Sequence, residues 1–95
     1  MKLRLQEKIV LVALYLACKG STKANVGVQT VNKRIPKNFR ARTNTRKILR
    51  KLVAKGLVWE HHGRRANGGI TYGITLEGAK IAKQILEQLK KEGTF

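Results

Sequence analysis

The stretch Thr43-Asn44-Thr45-Arg46-Lys47-Ile48-Leu49-Arg50-Lys51-Leu52-Val53-Ala54-Lys55-Gly56-Leu57-Val58 carries two patterns at once. Its apolar residues Ile48, Leu49, Leu52 and Val53 recur at i, i+1, i+4 and i+5, which predicts a helix over about 43–55 with one greasy side. On a wheel at about 100° per residue, Lys47, Arg50, Lys51 and Ala54 lie opposite that stripe, and Thr43 joins them. Ile48, Leu49, Leu52 and Val53 should therefore be buried, while Lys47, Arg50 and Lys51 stay in water. Gly56 is the stop.

Working outward, the charge is concentrated around this helix. The 95-residue chain has 21 basic and 5 acidic residues, a net charge of +16. Residues 19–65 hold fourteen basic residues against Glu60 alone, a net +13, whereas both flanks are nearly neutral. A merely solvated surface interleaves both signs, so the middle segment reads as a working face and the flanks as scaffold. The partner it implies is a polyanion, nucleic acid above all.

Upstream, residues 5–18 are rich in Leu, Val, Ile and Ala with no Pro or Gly, and predict a helix buried on most of its circumference. Gly20 is the expected residue just past its end. A second helix is predicted from about Asn25 to Arg34, with Val28, Val31 and Ile35 on one side, and Pro36 blocks its continuation. Residues 37–42 form a basic connection bearing Arg40 and Arg42. Downstream, strands at 57–60 and 70–74 flank the loop Gly63-Arg64-Arg65-Ala66-Asn67-Gly68-Gly69, a hairpin with a long tip. Thr75 should cap a last helix over 76–91, lined by Leu76, Ala79, Ala82, Leu86 and Leu89. The length suits one domain over residues 1–95, of class α+β.

Several chemistries are excluded. The chain has no aspartate and Ser21 is its only serine, so no Ser-His-Asp set exists, and no phosphate-binding G-x-x-x-x-G-K-[ST] run occurs. No enzymatic activity and no cofactor are expected. His61 and His62 are neighbours on a strand, point to opposite faces and make a poor chelate, so no metal is expected. Cys18 alone forms no intrachain disulfide and reads as a core residue. The longest apolar run, Ile9 to Cys18, is too short for a membrane span, and no small-residue cleavage site makes it a signal peptide. The expected location is cytoplasmic, associated with nucleoid or ribosome. Trp59 and Tyr72 are expected to pack as a cross-strand aromatic pair. Phe39 is the better candidate for stacking on a base, with a core role favoured.

The order helix, helix, basic helix, hairpin, helix has a known counterpart. Residues 43–58, with their polar start, Leu-rich inner stripe and Lys-Gly-Leu-Val exit, resemble the recognition-helix segment of winged helix-turn-helix proteins, MarR-type regulators most closely. Tyr72-Gly73-Ile74-Thr75-Leu76-Glu77-Gly78-Ala79-Lys80 resembles the same family's exit from the wing. Winged-helix proteins of the small ribosomal subunit look similar as well. The resemblance implies a winged helix of three helices, a two-stranded wing and a C-terminal helix. It places groove-facing roles on Thr43, Asn44, Arg46, Lys47 and Arg50. Thr45 falls where the family has a buried aliphatic residue, and is tolerable if its hydroxyl bonds back to its own helix. The chain departs from the regulators in lacking their long flanking helices, which make the dimer and the ligand pocket, and in being far more basic.

These readings converge on nucleic-acid binding. The expected partner is double-stranded DNA, bound by a small transcriptional regulator or chromosomal binder, with rRNA in a ribosomal protein as the alternative. A major groove admits one helix, so helix 43–55 should enter it while the wing 61–69 rides the backbone or minor groove. The contact set is Arg40, Arg42, Thr43, Asn44, Arg46, Lys47, Arg50, Lys51, Arg64 and Arg65. Asn44 and Arg46, in the first turn, are the expected base readers, and Lys47, Arg50, Lys51, Arg64 and Arg65 the phosphate contacts. The oligomeric state is left open, a homodimer included.

Overall fold

The computed structural model describes residues 2–63 and 69–95. Five helices and three strands follow in the order α1 (Leu5–Ala17), β1 (Val26–Gly27), α2 (Val28–Arg34), α3 (Lys37–Arg40), α4 (Thr45–Ala54), β2 (Val58–His62), β3 (Ile70–Ile74) and α5 (Leu76–Lys91). Helix α1 is the centre of the molecule. Ile9, Val10, Leu11, Val12, Ala13 and Leu14 are six consecutive residues with no exposed surface, because α2, α4, α5 and β3 all pack around them. An all-apolar helix is stable in water only when enclosed in this way. It ends one residue earlier than Gly20 alone suggests. Lys19 already takes a left-handed conformation at φ 53° and Gly20 follows at φ 76°. The Lys19 and Gly20 N–H groups donate to the Leu16 and Tyr15 carbonyls, each at 3.0 Å.

Two expectations around β1 are corrected. The second helix starts at Val28 rather than Asn25, and the sheet has three strands in the order β1-β3-β2 rather than two. Val26 pairs with Tyr72 and Gly27 with Thr71 across an antiparallel ladder. A bare β3 edge would leave its peptide groups unpaired, and this two-residue strand covers the edge at Thr71 and Tyr72. The connection 37–42 is also not wholly irregular, since α3 makes one helical turn in which the Phe39 and Arg40 N–H groups donate to the Pro36 carbonyl. Phe39 is half-buried against the core.

Helix α4 is shorter at its start than predicted. Thr43 and Asn44 lie outside it, and Asn44 is its cap, accepting from the Lys47 N–H at 3.2 Å. Gly56, at φ 78°, closes the other end: its N–H reaches the Val53 carbonyl, and that of Leu57 the Leu52 carbonyl. Leu57 thereby belongs to the helix exit, and β2 begins at Val58 and runs to His62 instead of stopping at Glu60.

The register of the hairpin overturns the predicted aromatic pair. Trp59 opposes Gly73, and Tyr72 opposes Glu60. Trp59 and Tyr72 are thus on opposite faces of the sheet, Tyr72 in the core and Trp59 laid over Gly73, where an added Cβ would run into the indole. Helix α5 is rotated from the expected stripe. It buries Gly78, Ala82, Ile85 and Leu89, while Leu76 is 66% exposed. Gly78 sets this rotation, because its backbone lies directly against the Leu57 carbonyl. Thr75 is the expected cap: its hydroxyl accepts from the Gly78 N–H and donates to the Gly56 carbonyl.

Candidate nucleic-acid interface

Helix α4 meets the core through Thr45, Ile48, Leu49 and Leu52, with Val53 half-buried at the edge. That fixes its rotation, so Arg46, Lys47, Arg50, Lys51 and Ala54 are all exposed. Helical spacing sorts the cations into two parallel rows, Arg46 with Arg50 and Lys47 with Lys51. The arginine row borders a concave groove shared with Gly27, Val28, Gln29 and Thr30 of the α2 start and with Gly69, Ile70 and Tyr72 of the sheet. Asn44 and Ala54 complete the rim of the helix's own surface with both rows.

Both ends of this helix are pinned by side chains. At the start, the Thr45 hydroxyl donates to Asn32 Oδ1 at 3.0 Å, tying α4 to α2. Thr45 is 5% exposed, so the buried position is filled as the family pattern implies, but the hydroxyl is satisfied across helices and not by its own helix. At the exit, Lys55 Nζ lies 2.8 Å from Glu7 Oε2 on α1. Glu7 Oε1 also accepts from the Arg4 N–H at 2.9 Å. The Lys55 ammonium, and then the Arg4 N–H, hold the Glu7 carboxyl below its ordinary value of 4.5 despite the opposing effect of burial. Gln6 Nε2 reaches the Arg42 carbonyl at 3.3 Å, so the start of α1 braces both flanks of α4.

The remaining sequence-predicted residues take different places. Arg42 is exposed beside the helix start. Thr43 is half-buried, with its hydroxyl donating to the Phe39 carbonyl at 2.7 Å. Arg40 is turned inward: one guanidinium nitrogen donates to the Lys33 and Ile35 carbonyls, both at 3.0 Å, and closes the end of α2. Arg64 and Arg65 lie outside the described residues. His61 and His62 are both exposed; His62 Nε2 is 3.9 Å from Glu60 Oε2. Among the described residues no three potential ligands gather to hold a metal.

Sequence reasoning missed Asn32, Glu7 and Gln6. Only Glu7 left a signal, as the one acid in the 59 residues before Glu60, placed two residues ahead of an apolar run. Burial also pushes the Cys18 thiol above its ordinary value of 9.0, as suits an inert core cysteine.

Helices α1, α2, α4 and α5 packed around one core, a cationic outer side on α4, and the antiparallel β2–β3 pair that follows it define a winged helix. No protein-family model matches the chain, and no curated protein sequence does. Among solved structures it is similar to the crystal structure of ZitR, a zinc-responsive MarR family member from Lactococcus lactis, with a TM-score of 0.55 and 17% sequence identity. The match covers 98% of this chain and 62% of that one, so the chain spans less than two thirds of the protein it resembles. The likeness is one of fold. No helix among the described residues is long and apolar enough to cross a membrane.

Proposed function

We propose that this chain is a double-stranded DNA-binding domain, acting as a small transcriptional regulator or chromosomal binder. Helix α4 enters the major groove, and the hairpin 61–69 lies on the backbone or minor groove. The observation that carries this is the bare cationic side of α4: Arg46, Lys47, Arg50 and Lys51 are all exposed on one helix. The nearby acid, Glu7, is buried and spent on Lys55. A helix held rigidly at both ends, with its charges turned outward, suits docking into a groove about 12 Å wide. The fold is similar to that of a MarR family member, and residues 43–58 resemble the recognition segment of MarR-type regulators, which supports duplex DNA as the partner.

The test is a binding titration of labelled duplex DNA over a range of salt concentrations, with structured RNA as competitor. Contact with about six phosphates gives a log–log slope near −5 on duplex. Failure to bind duplex at low salt, or outright preference for structured RNA, would overturn the reading.

A further inference from the structure

The chemistry of the α4 surface narrows the DNA that it reads. Every exposed polar side chain on the helix is a donor: Arg46, Lys47, Arg50 and Lys51 carry no acceptor at all. The polar groups at the helix start are engaged in holding the fold. Asn44 Oδ1 accepts from the Lys47 N–H, the buried Thr45 hydroxyl donates to Asn32 Oδ1, and the half-buried Thr43 hydroxyl donates to the Phe39 carbonyl. Gln29 and Thr30 belong to α2 and line the other side of the groove that the arginine row borders.

A donor-only face is complementary to one base edge in the major groove. Guanine offers two adjacent acceptors, N7 and O6, whereas adenine and cytosine each present an amino donor that this helix cannot satisfy. Thymine presents a single acceptor beside a methyl group. The two rows divide the labour by side-chain geometry. A guanidinium is a planar fork matched to two acceptors, and an ammonium is a point charge suited to phosphate. The Arg46 and Arg50 side chains are exposed and line the groove, placed to reach outward. Four residues of helix rise about 6 Å, close to two base steps at about 3.4 Å each.

Resting on the DNA-binding reading above, we propose that the Arg46–Arg50 row reads two guanines on one strand, about two steps apart, while Lys47 and Lys51 clamp the flanking backbone. Asn44 thereby passes from expected base reader to helix cap, and Arg50 from clamp to reader.

The experiment uses the whole chain and three short duplexes measured by fluorescence anisotropy. One carries guanines spaced in this way, one has only A·T pairs, and the third repeats the first with 7-deazaguanine, which deletes N7 and leaves charge and stacking. The guanine duplex should bind best, and 7-deaza substitution should weaken it about tenfold per guanine. Arg46→Lys and Arg50→Lys keep the charge and should cut this preference about fivefold with the salt slope unchanged. Lys47→Ala and Lys51→Ala should keep the preference and flatten the slope by about one unit each. Equal affinity for all three duplexes, or a preference for A·T, overturns the guanine assignment and leaves DNA binding standing. No binding to any duplex overturns both.

Discussion

Glu7 is 6% exposed in a chain of net charge +16, and its position is tolerable only because Lys55 and the Arg4 N–H meet both of its oxygens. Its depressed pKa has a definite sign in stability. The ionised form is favoured by folding, so its contribution is present above the ordinary value of 4.5 and is lost as pH falls through the lower folded value. Glu7→Gln should be about 1–2 kcal/mol less stable at pH 7, at the modest end because Lys55 is partly solvated. The gap to the parent should narrow as pH falls below the ordinary value of 4.5 and close below the lower folded value, as read from urea melts across pH. A gap that persists at low pH would mean that packing, not charge, holds Glu7. Leu52, with no exposed surface, should lose about 2–5 kcal/mol on truncation to Ala. Gly78→Ala should be comparably harmful, since the new methyl meets the Leu57 carbonyl, a backbone group with little room to retreat.

At the scale of elements, α4 shows how a cap and a binding residue are told apart. Asn44 Oδ1 satisfies a backbone N–H that would otherwise lack a partner. Asn44→Ala should therefore cost about 1 kcal/mol of stability while leaving the ratio of affinities for different duplexes unchanged. Thermal melts and competition titrations on the same variant separate the two. A change in the ratio without a change in melting temperature would restore Asn44 as a reader. Arg40 is the parallel case on α2. Its guanidinium closes the helix end at the Lys33 and Ile35 carbonyls, so Arg40→Ala should weaken folding more than it weakens DNA binding per phosphate contact.

At the scale of the molecule, charge and fold oppose one another. Twenty-one cations against five acids repel within one small domain, and the free protein carries that cost. Adding monovalent salt should raise its melting temperature, by about 4–8 °C for each 1 kcal/mol of repulsion screened. Saturating duplex DNA at low salt should raise it further, by mass action. If added salt lowers the melting temperature of the free chain, self-repulsion is not a significant term.

The existence of each long helix, the buried and exposed sides of α4, and the concentration of charge between residues 19 and 65 are properties of local periodicity and composition. They were readable from the sequence for that reason: Ile48, Leu49 and Leu52 went inward and Lys47, Arg50 and Lys51 outward as their spacing requires. What tertiary structure alone decided are the pairings between distant segments. The β1 strand exists because the β3 edge needs partners, the Trp59–Gly73 register because two strands slide until both faces are filled, and the rotation of α5 because Gly78 admits the Leu57 backbone. The same holds within the interface. Arg40, Thr43, Asn44 and Thr45 are as polar in sequence as Arg46, but nearby carbonyls, a helix N–H and the Asn32 amide claim them first. A side chain's chemistry is written in the sequence; whether that chemistry is still free for a partner depends on which groups the fold brings within about 3 Å of it.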